Sequence, residues 1–282
     1  MTPPLAEPVI NALRPLQLKG KGFAFNLVTP RSGTRRVKVW GDYEMTLDLA
    51  NAIHRQIYMG CFGRDMTVWT RTLLPTGGRF LDVGAHMGYF SLLASHCVGP
   101  SGRVHAVEPN PAAFSALRAH LTENRVPNVD AHNIALSDRE GSLRLYVPPA
   151  SSNRDYNVTM MPRPDWNAVD VPARPLDDCL REWGVERIDV MKVDVEGAEP
   201  LVFGGGAEHL RRGVVRHVVV EVNGPRLTEG GSSPARLFAQ LDSYGFAPAR
   251  LAGRRAVPVP PESLDTAPGS EYDRLFVHRS AS

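Results

Sequence analysis

No stretch of the chain approaches the roughly 20 consecutive apolar residues that a membrane-spanning helix needs, so no transmembrane segment is expected. Cysteine is scarce. Cys61, Cys97 and Cys179 are widely spaced and form no CxxC pair, which sets aside a disulfide framework or thiolate zinc site and makes a reducing compartment the default. Charge of one sign is missing too: 32 Lys plus Arg against 30 Asp plus Glu leave a formal net charge of +2. That is too small a field to attract nucleic acid or an anionic membrane. The N-terminus carries Glu7 and the prolines Pro3, Pro4, Pro8 and Pro15 in place of the apolar core of a signal peptide. A soluble cytoplasmic protein is therefore expected, with a small-molecule partner, no nucleic acid and no membrane; homo-oligomerisation is left open. There is no internal repeat and no low-complexity tract.

What remains is ordinary globular composition, 43% hydrophobic and 22% charged over 282 residues, punctuated by 25 Gly and 24 Pro. Residues 1–76 read as an N-terminal α+β cap, with a hairpin of residues 22–28 and 35–40 and helices over 46–59 and 65–74. From Arg79 short apolar runs alternate with helical stretches, as βαβ units do. The runs are 79–83, 104–108, 129–135, 188–193 and 217–222; helices are expected at 87–97, 111–124 and 233–244. Residues 246–251 and 274–278 read as late antiparallel strands. Two segments break the alternation, 148–170 and 224–233, and read as loops. The domains expected are 1–76 and 77–282, with 148–170 as a substrate loop in which Tyr156, Met160, Met161 and Trp166 cover an acceptor.

Chemistry concentrates at the ends of the runs. The first leads through Asp82 into the turn Gly84, Ala85, His86 and Gly88 and then a helix, which places backbone donors at a helix N-terminus. Glu108 ends the second run, where a nucleotide ribose presents two hydroxyls to a carboxylate. Ala135, Leu136 and Ser137 end the third, in position to line an adenine. GxGxxG fails here, because His86 and Tyr89 stand where glycines belong, and there is no GxxxxGK[ST]. Asp82 inside the turn repels a phosphate and suits a cation. S-adenosyl-L-methionine, which carries a sulfonium and an ammonium and no phosphate, fits all three features. The run ending Lys192-Val193-Asp194-Val195-Glu196 brings acids to the same rim, read either as substrate-facing groups or as helix-capping charges. Glu221 and Asn223 end the next strand and are candidates for binding a polar substrate. An oxygen-rich metal site completed with Asp194 is the less favoured reading, since these positions have no diagnostic spacing.

The set Asp82-Val83-Gly84-Ala85-His86-Met87-Gly88, Val107-Glu108-Pro109-Asn110, Ala135-Leu136-Ser137, Lys192-Val193-Asp194-Val195-Glu196-Gly197-Ala198-Glu199 and Val220-Glu221-Val222 resembles the FkbM family of methyltransferases. The resemblance implies an α/β class I methyltransferase fold, Rossmann-like, with a mostly parallel seven-stranded sheet and a late antiparallel strand. It implies O-methylation of a sugar, polyketide or other secondary metabolite, with S-adenosyl-L-homocysteine as product. By position, Asp82, Gly84, Ala85 and Gly88 would hold the methionine end. Glu108, with Pro109 and Asn110, would take the ribose, and Ala135, Leu136 and Ser137 the adenine side. Asp194 and Glu196 would lie near the methyl. His86 departs from the family's asparagine and would either keep a cofactor hydrogen bond or serve as a base. Asp194, Glu196 and His86 are thus the candidates for the general base, and Glu221, Asn223 and Tyr156 for substrate binding. The competing functions are N-methylation, a nicotinamide-dependent oxidoreductase and a non-catalytic cofactor-binding protein.

Overall fold

The computed structural model describes residues 29–149 and 158–281. It opens on a hairpin, β1 (Thr34–Trp40) and β2 (Tyr43–Asp48), followed by α1 (Ala52–Met59) and α2 (Arg64–Leu73). This corrects the expected cap. The partner of the strand at 35–40 is β2, with Val37 opposite Met45, and the helix expected from Thr46 starts only at Ala52. Met45 and Leu47 alternate inward between exposed Thr46 and Asp48, a period of two that a helix cannot use. Asn51 then caps α1 by accepting from the Ile53 and His54 N–H groups. Residues 22–28 lie outside the described residues.

The βαβ succession follows as β3 (Arg79–Val83), α3 (Tyr89–Val98), β4 (Arg103–Val107), α4 (Pro111–Glu123) and β5 (Val129–His132). Next come β6 (Ala135–Ser137), β7 (Gly141–Val147), β8 (Asn167–Pro175), α5 (Leu176–Glu182) and β9 (Ile188–Val193). The chain continues through α6 (Glu199–Gly205), α7 (Ala207–Arg211), β10 (Val215–Asn223), α8 (Gly224–Glu229) and α9 (Pro234–Ser243). It ends with β11 (Phe246–Ala252), β12 (Arg255–Pro258) and β13 (Glu271–His278). The main sheet has the order β12-β11-β13-β10-β9-β3-β4-β5. Its strands are parallel from β5 to β10, and β13 runs antiparallel between β10 and β11. The expected seven strands are present, and β12 adds an eighth at the edge.

Helices on both faces explain why the central strands read as continuous apolar runs rather than alternating ones. Phe80, Leu92, Val190 and Val219 share one buried core with Met45, Leu47, Ile57 and Tyr58 of the first elements, while Leu81, Met191, Val218 and Val220 belong to the core of the opposite face.

Three loop and strand expectations change. The run 129–135 is not one strand: β5 stays in the main sheet, while β6 leaves it and pairs with β8, Ala135 opposite Ala173. Part of the segment 148–170 is β8, held to β7 with Leu143 opposite Val171 and Arg144 opposite Asp170. The segment 224–233 begins as α8, because Asn223 caps it, Pro225 stands in its first turn and Leu227 is fully buried. There Gly and Pro start a helix instead of marking a loop.

Candidate active site

The turn after β3 is shaped by a backbone that only glycine tolerates. Gly84 sits at φ +77°, and a Cβ there would lie 1.9 Å from the Asp194 carbonyl oxygen. The two strand tips are thereby packed backbone to backbone. Lys192 Nζ locks them: it donates to the Gly84 carbonyl at 2.6 Å and pairs with Asp82 at 3.5 Å and Asp194 at 3.3 Å. Burial pulls the Lys192 ammonium down, but Asp194 and Asp82 more than offset this, so its pKa lies above the ordinary lysine value. Burial raises the Asp82 carboxyl, with Lys192 and Ser91 pulling it partly back. Asp82 is 0% exposed and accepts from Ser91 Oγ at 2.6 Å. It therefore works from beneath the floor, through Lys192.

Glu108 is 5% exposed, with Oε2 accepting from the His86 N–H at 2.7 Å and Oε1 from the Asn110 N–H at 2.8 Å. Burial pushes its pKa up to about 7 against the pull of these two bonds. The two bonds fix the carboxyl's orientation and leave each oxygen a lone pair for a further donor. On the facing side Glu196 stands at φ +55° and pairs with Arg226 at 3.3 Å. Glu199 does more than charge the first turn of α6. It is 0% exposed and folds back so that Oε1 accepts from the Val195 and Gly197 N–H groups, each at 3.2 Å.

These groups surround one cleft. Gly84, Ala85, His86, Glu108, Pro109, Ala135, Leu136, Asp194 and Glu196 all line it. Lys192, Tyr89 and Phe90 complete the floor, and Ile53, Ile57 and Phe62 form one wall. Leu143, Leu145, Val158, Thr159 and Met160 form the other. Their sequence signals were the i, i+4 spacing of Ile53 and Ile57 and the alternation of Leu143 and Leu145.

Other named positions serve elsewhere. Gly88 packs on Leu117, Asn110 caps α4, and Ser137 is 1% exposed beneath α6, its carbonyl against Gly205. Asn223 spends its side-chain oxygen on the Arg226 N–H at 3.1 Å. Glu221 is not among the residues lining the cleft, Met161 is 39% exposed, and Tyr156 lies outside the described residues. Among the described residues the only three-ligand cluster is Asp177, Glu208 and His209. There Asp177 accepts from the Glu208 and His209 N–H groups and from His209 Nδ1, which is a cap on α7 and lies away from the rim.

The cleft suits S-adenosyl-L-methionine by its donor set. Glu108 is preset for two neighbouring hydroxyls, Asp194 and Glu196 favour positive charge, and among the described residues no arginine lines the cleft to receive a phosphate. Parallel sheet, antiparallel β13 and this cleft at the strand tips together define a class I S-adenosyl-L-methionine-dependent methyltransferase. The Methyltransferase FkbM domain model matches residues 82–248, more than half of the chain. Methyltransferase sdnD of Sordaria araneosa is 34% identical over 202 residues, covering 61% of this chain and 75% of its own. The 31-O-demethyl-FK506 methyltransferase FkbM of Streptomyces tacrolimicus is 32% identical over 201 residues, 61% and 74% of the two chains. The 2-O-methyltransferase NoeI of Sinorhizobium fredii is 26% identical over 155 residues, 50% and 62%. The chain belongs to the FkbM family of methyltransferases.

Proposed function

We propose that the protein methylates a hydroxyl of a small secondary metabolite, a sugar or polyketide among the candidates, acting in the cytoplasm. Two relatives named for O-methylation support the acceptor chemistry. One observation carries the reading: a single cleft bounded by the preset Glu108 at one end and Asp194 and Glu196 at the other. Gly84, Ala85 and His86 would hold the methionine end, Glu108 the ribose, and Pro109, Ala135 and Leu136 the adenine. When bound there, S-adenosyl-L-methionine supplies a methyl group activated by a sulfonium.

The chain's own residues do the rest. The apolar walls from α1 and β7 exclude water and hold the acceptor in line, which carries much of the acceleration. A positioned base contributes a further 10²–10⁴-fold or so. Asp194 is our choice for it, a carboxyl that lines the cleft beside Lys192. Glu196 is already paired with Arg226. Burial lowers the His86 imidazole to about 3, so it stays neutral and takes up a proton poorly. Mass-spectrometric detection of methyl transfer to a panel of hydroxylated sugars, macrolides and amines tests the reading. Product only on oxygen, with Asp194→Asn slowed at least 100-fold, is expected; methylation confined to amines would overturn it.

A further inference from the structure

Lys192 and Val219 are register partners in the parallel ladder, as are Val193 and Val220. Two residues on from the first pair, Asp194 and Glu221 project to the same face of neighbouring strands. Across the other neighbour, Glu221 stands opposite Asp273 of β13. Three carboxyls thus line up on adjacent strands, an arrangement that costs stability when all are charged. Burial, and then the charge of Asp194, raise the Asp273 carboxyl. The register brings Glu221 beside Asp194, whose charge is the largest influence on it, and two carboxyl groups held this way can hydrogen-bond only when one carries a proton.

The cations nearby are already shared. Lys192 divides itself between Asp194 and Asp82, and Arg226 between Glu196 and Glu229. The charge of Asp194, and then burial, raise the Glu221 pKa well above the usual carboxylate range.

We propose that Asp194 and Glu221 are one proton-sharing pair whose charge follows that of the methyl donor. This rests on the methyltransferase reading above. With the cleft empty, the pair holds one proton and one negative charge. It gives the proton to solvent when a sulfonium is bound in the cleft. During transfer the acceptor's O–H bond breaks and its proton passes to the pair. The oxygen–methyl bond forms as the sulfur–methyl bond breaks, and that electron pair stays on sulfur, which becomes neutral. Pair and donor together carry one net negative charge at every stage, so the low-dielectric cleft never holds an uncompensated change. Asp194 lines the cleft and is the member that faces the acceptor; Glu221 is not among the lining residues and is the positioning member.

Proton release on binding tests this without an acceptor. Titration calorimetry in two buffers of different ionisation enthalpy counts protons released per S-adenosyl-L-methionine and per S-adenosyl-L-homocysteine. Subtracting the second removes what both ligands share, including any proton leaving Glu108. Asp65, Asp82, His86, Lys192, Glu196, Arg226, Glu271 and Asp273 surround the pair, and the Glu221→Gln comparison separates their response from that of the pair. Wild type is expected to release close to one more proton for the sulfonium ligand near pH 7, and Glu221→Gln none. A difference of zero in wild type, or an equal difference in Glu221→Gln, would overturn the pair. Wild type alone supplies a second readout, a preference for the sulfonium ligand that rises toward tenfold per pH unit between pH 6 and 8; a flat ratio overturns the proposal as well. Failure of both ligands to bind would be a different outcome, sinking the methyltransferase reading and this inference with it.

Discussion

The two ends of the cleft treat their carboxyls in opposite ways. Glu108 receives two backbone N–H bonds, one on each carboxyl oxygen. Asp194 lies among Glu196, Glu221 and Asp273, with Lys192 drawn in from below. The first end is preorganised and settled before any ligand arrives. At the second, like charges are held together by a cation shared with the interior, which suits a place where charge appears and disappears during reaction. Binding and chemistry are thus divided between adjoining strand tips, and the division can be broken from either side.

The largest effect is expected at Lys192. It is 2% exposed and carries the compensation for fully buried Asp82 as well as for Asp194. Lys192→Met strands both acids and should cost about 3–5 kcal/mol, the range for removing one partner of a buried pair. Urea denaturation measures it, and adding Asp82→Asn should recover part of the loss through their coupling. A Lys192→Met protein as stable as wild type would mean that the rim needs no cation, and the contrast between the two ends would collapse.

At the settled end, Glu108→Gln should leave the fold intact while cofactor affinity falls by about 10- to 100-fold, the scale of hydrogen bonds to a charged group. Its pH dependence sharpens the point. The folded-state pKa of Glu108 is about 7 against an ordinary value of 4.5, so the folded protein binds more protons than the unfolded chain between these values. This acid's contribution to stability is complete below about 4.5 and is lost as pH rises toward 7. Glutamine does not titrate. Glu108→Gln should therefore gain on wild type by on the order of 1–3 kcal/mol from pH 4.5 to 8 in paired denaturation curves. A constant difference across that range would show that the carboxyl is ionised throughout.

How much of this was legible before the structure depended on whether a residue's role is local. Gly84 and Glu108 were readable because a glycine turn and an acid closing an apolar run announce themselves within a few residues. Asp82 was misread as a contact group, since nothing in Phe80-Leu81-Asp82 shows that Lys192, far along the chain, rises to meet it. Asn110 and Asn223 looked like rim residues and proved to be caps, because N-cap and ligand-facing positions share the same end of a strand. The departure of β6 from the main sheet was hidden in a run whose apolar character continues through Ile134 and Ala135. The cap wall of Ile53, Ile57 and Phe62 needed tertiary packing to be placed against the strand tips.

The smallest effect is expected at His86, the clearest departure from the family motif. Its backbone N–H, which any residue except proline supplies, is what it gives Glu108. Its ring is buried and held neutral, with a pKa near 3, so it contributes shape and dipole to the cleft and no charge. His86→Asn keeps a short polar side chain, and asparagine tolerates the φ of +52° found here. Turnover should stay within about tenfold, and the pH–rate profile should keep its midpoint, because a group titrating near 3 does not set a limb near neutrality. A midpoint displaced by a full unit in His86→Asn would move the base from the acidic end of the cleft to the glycine turn.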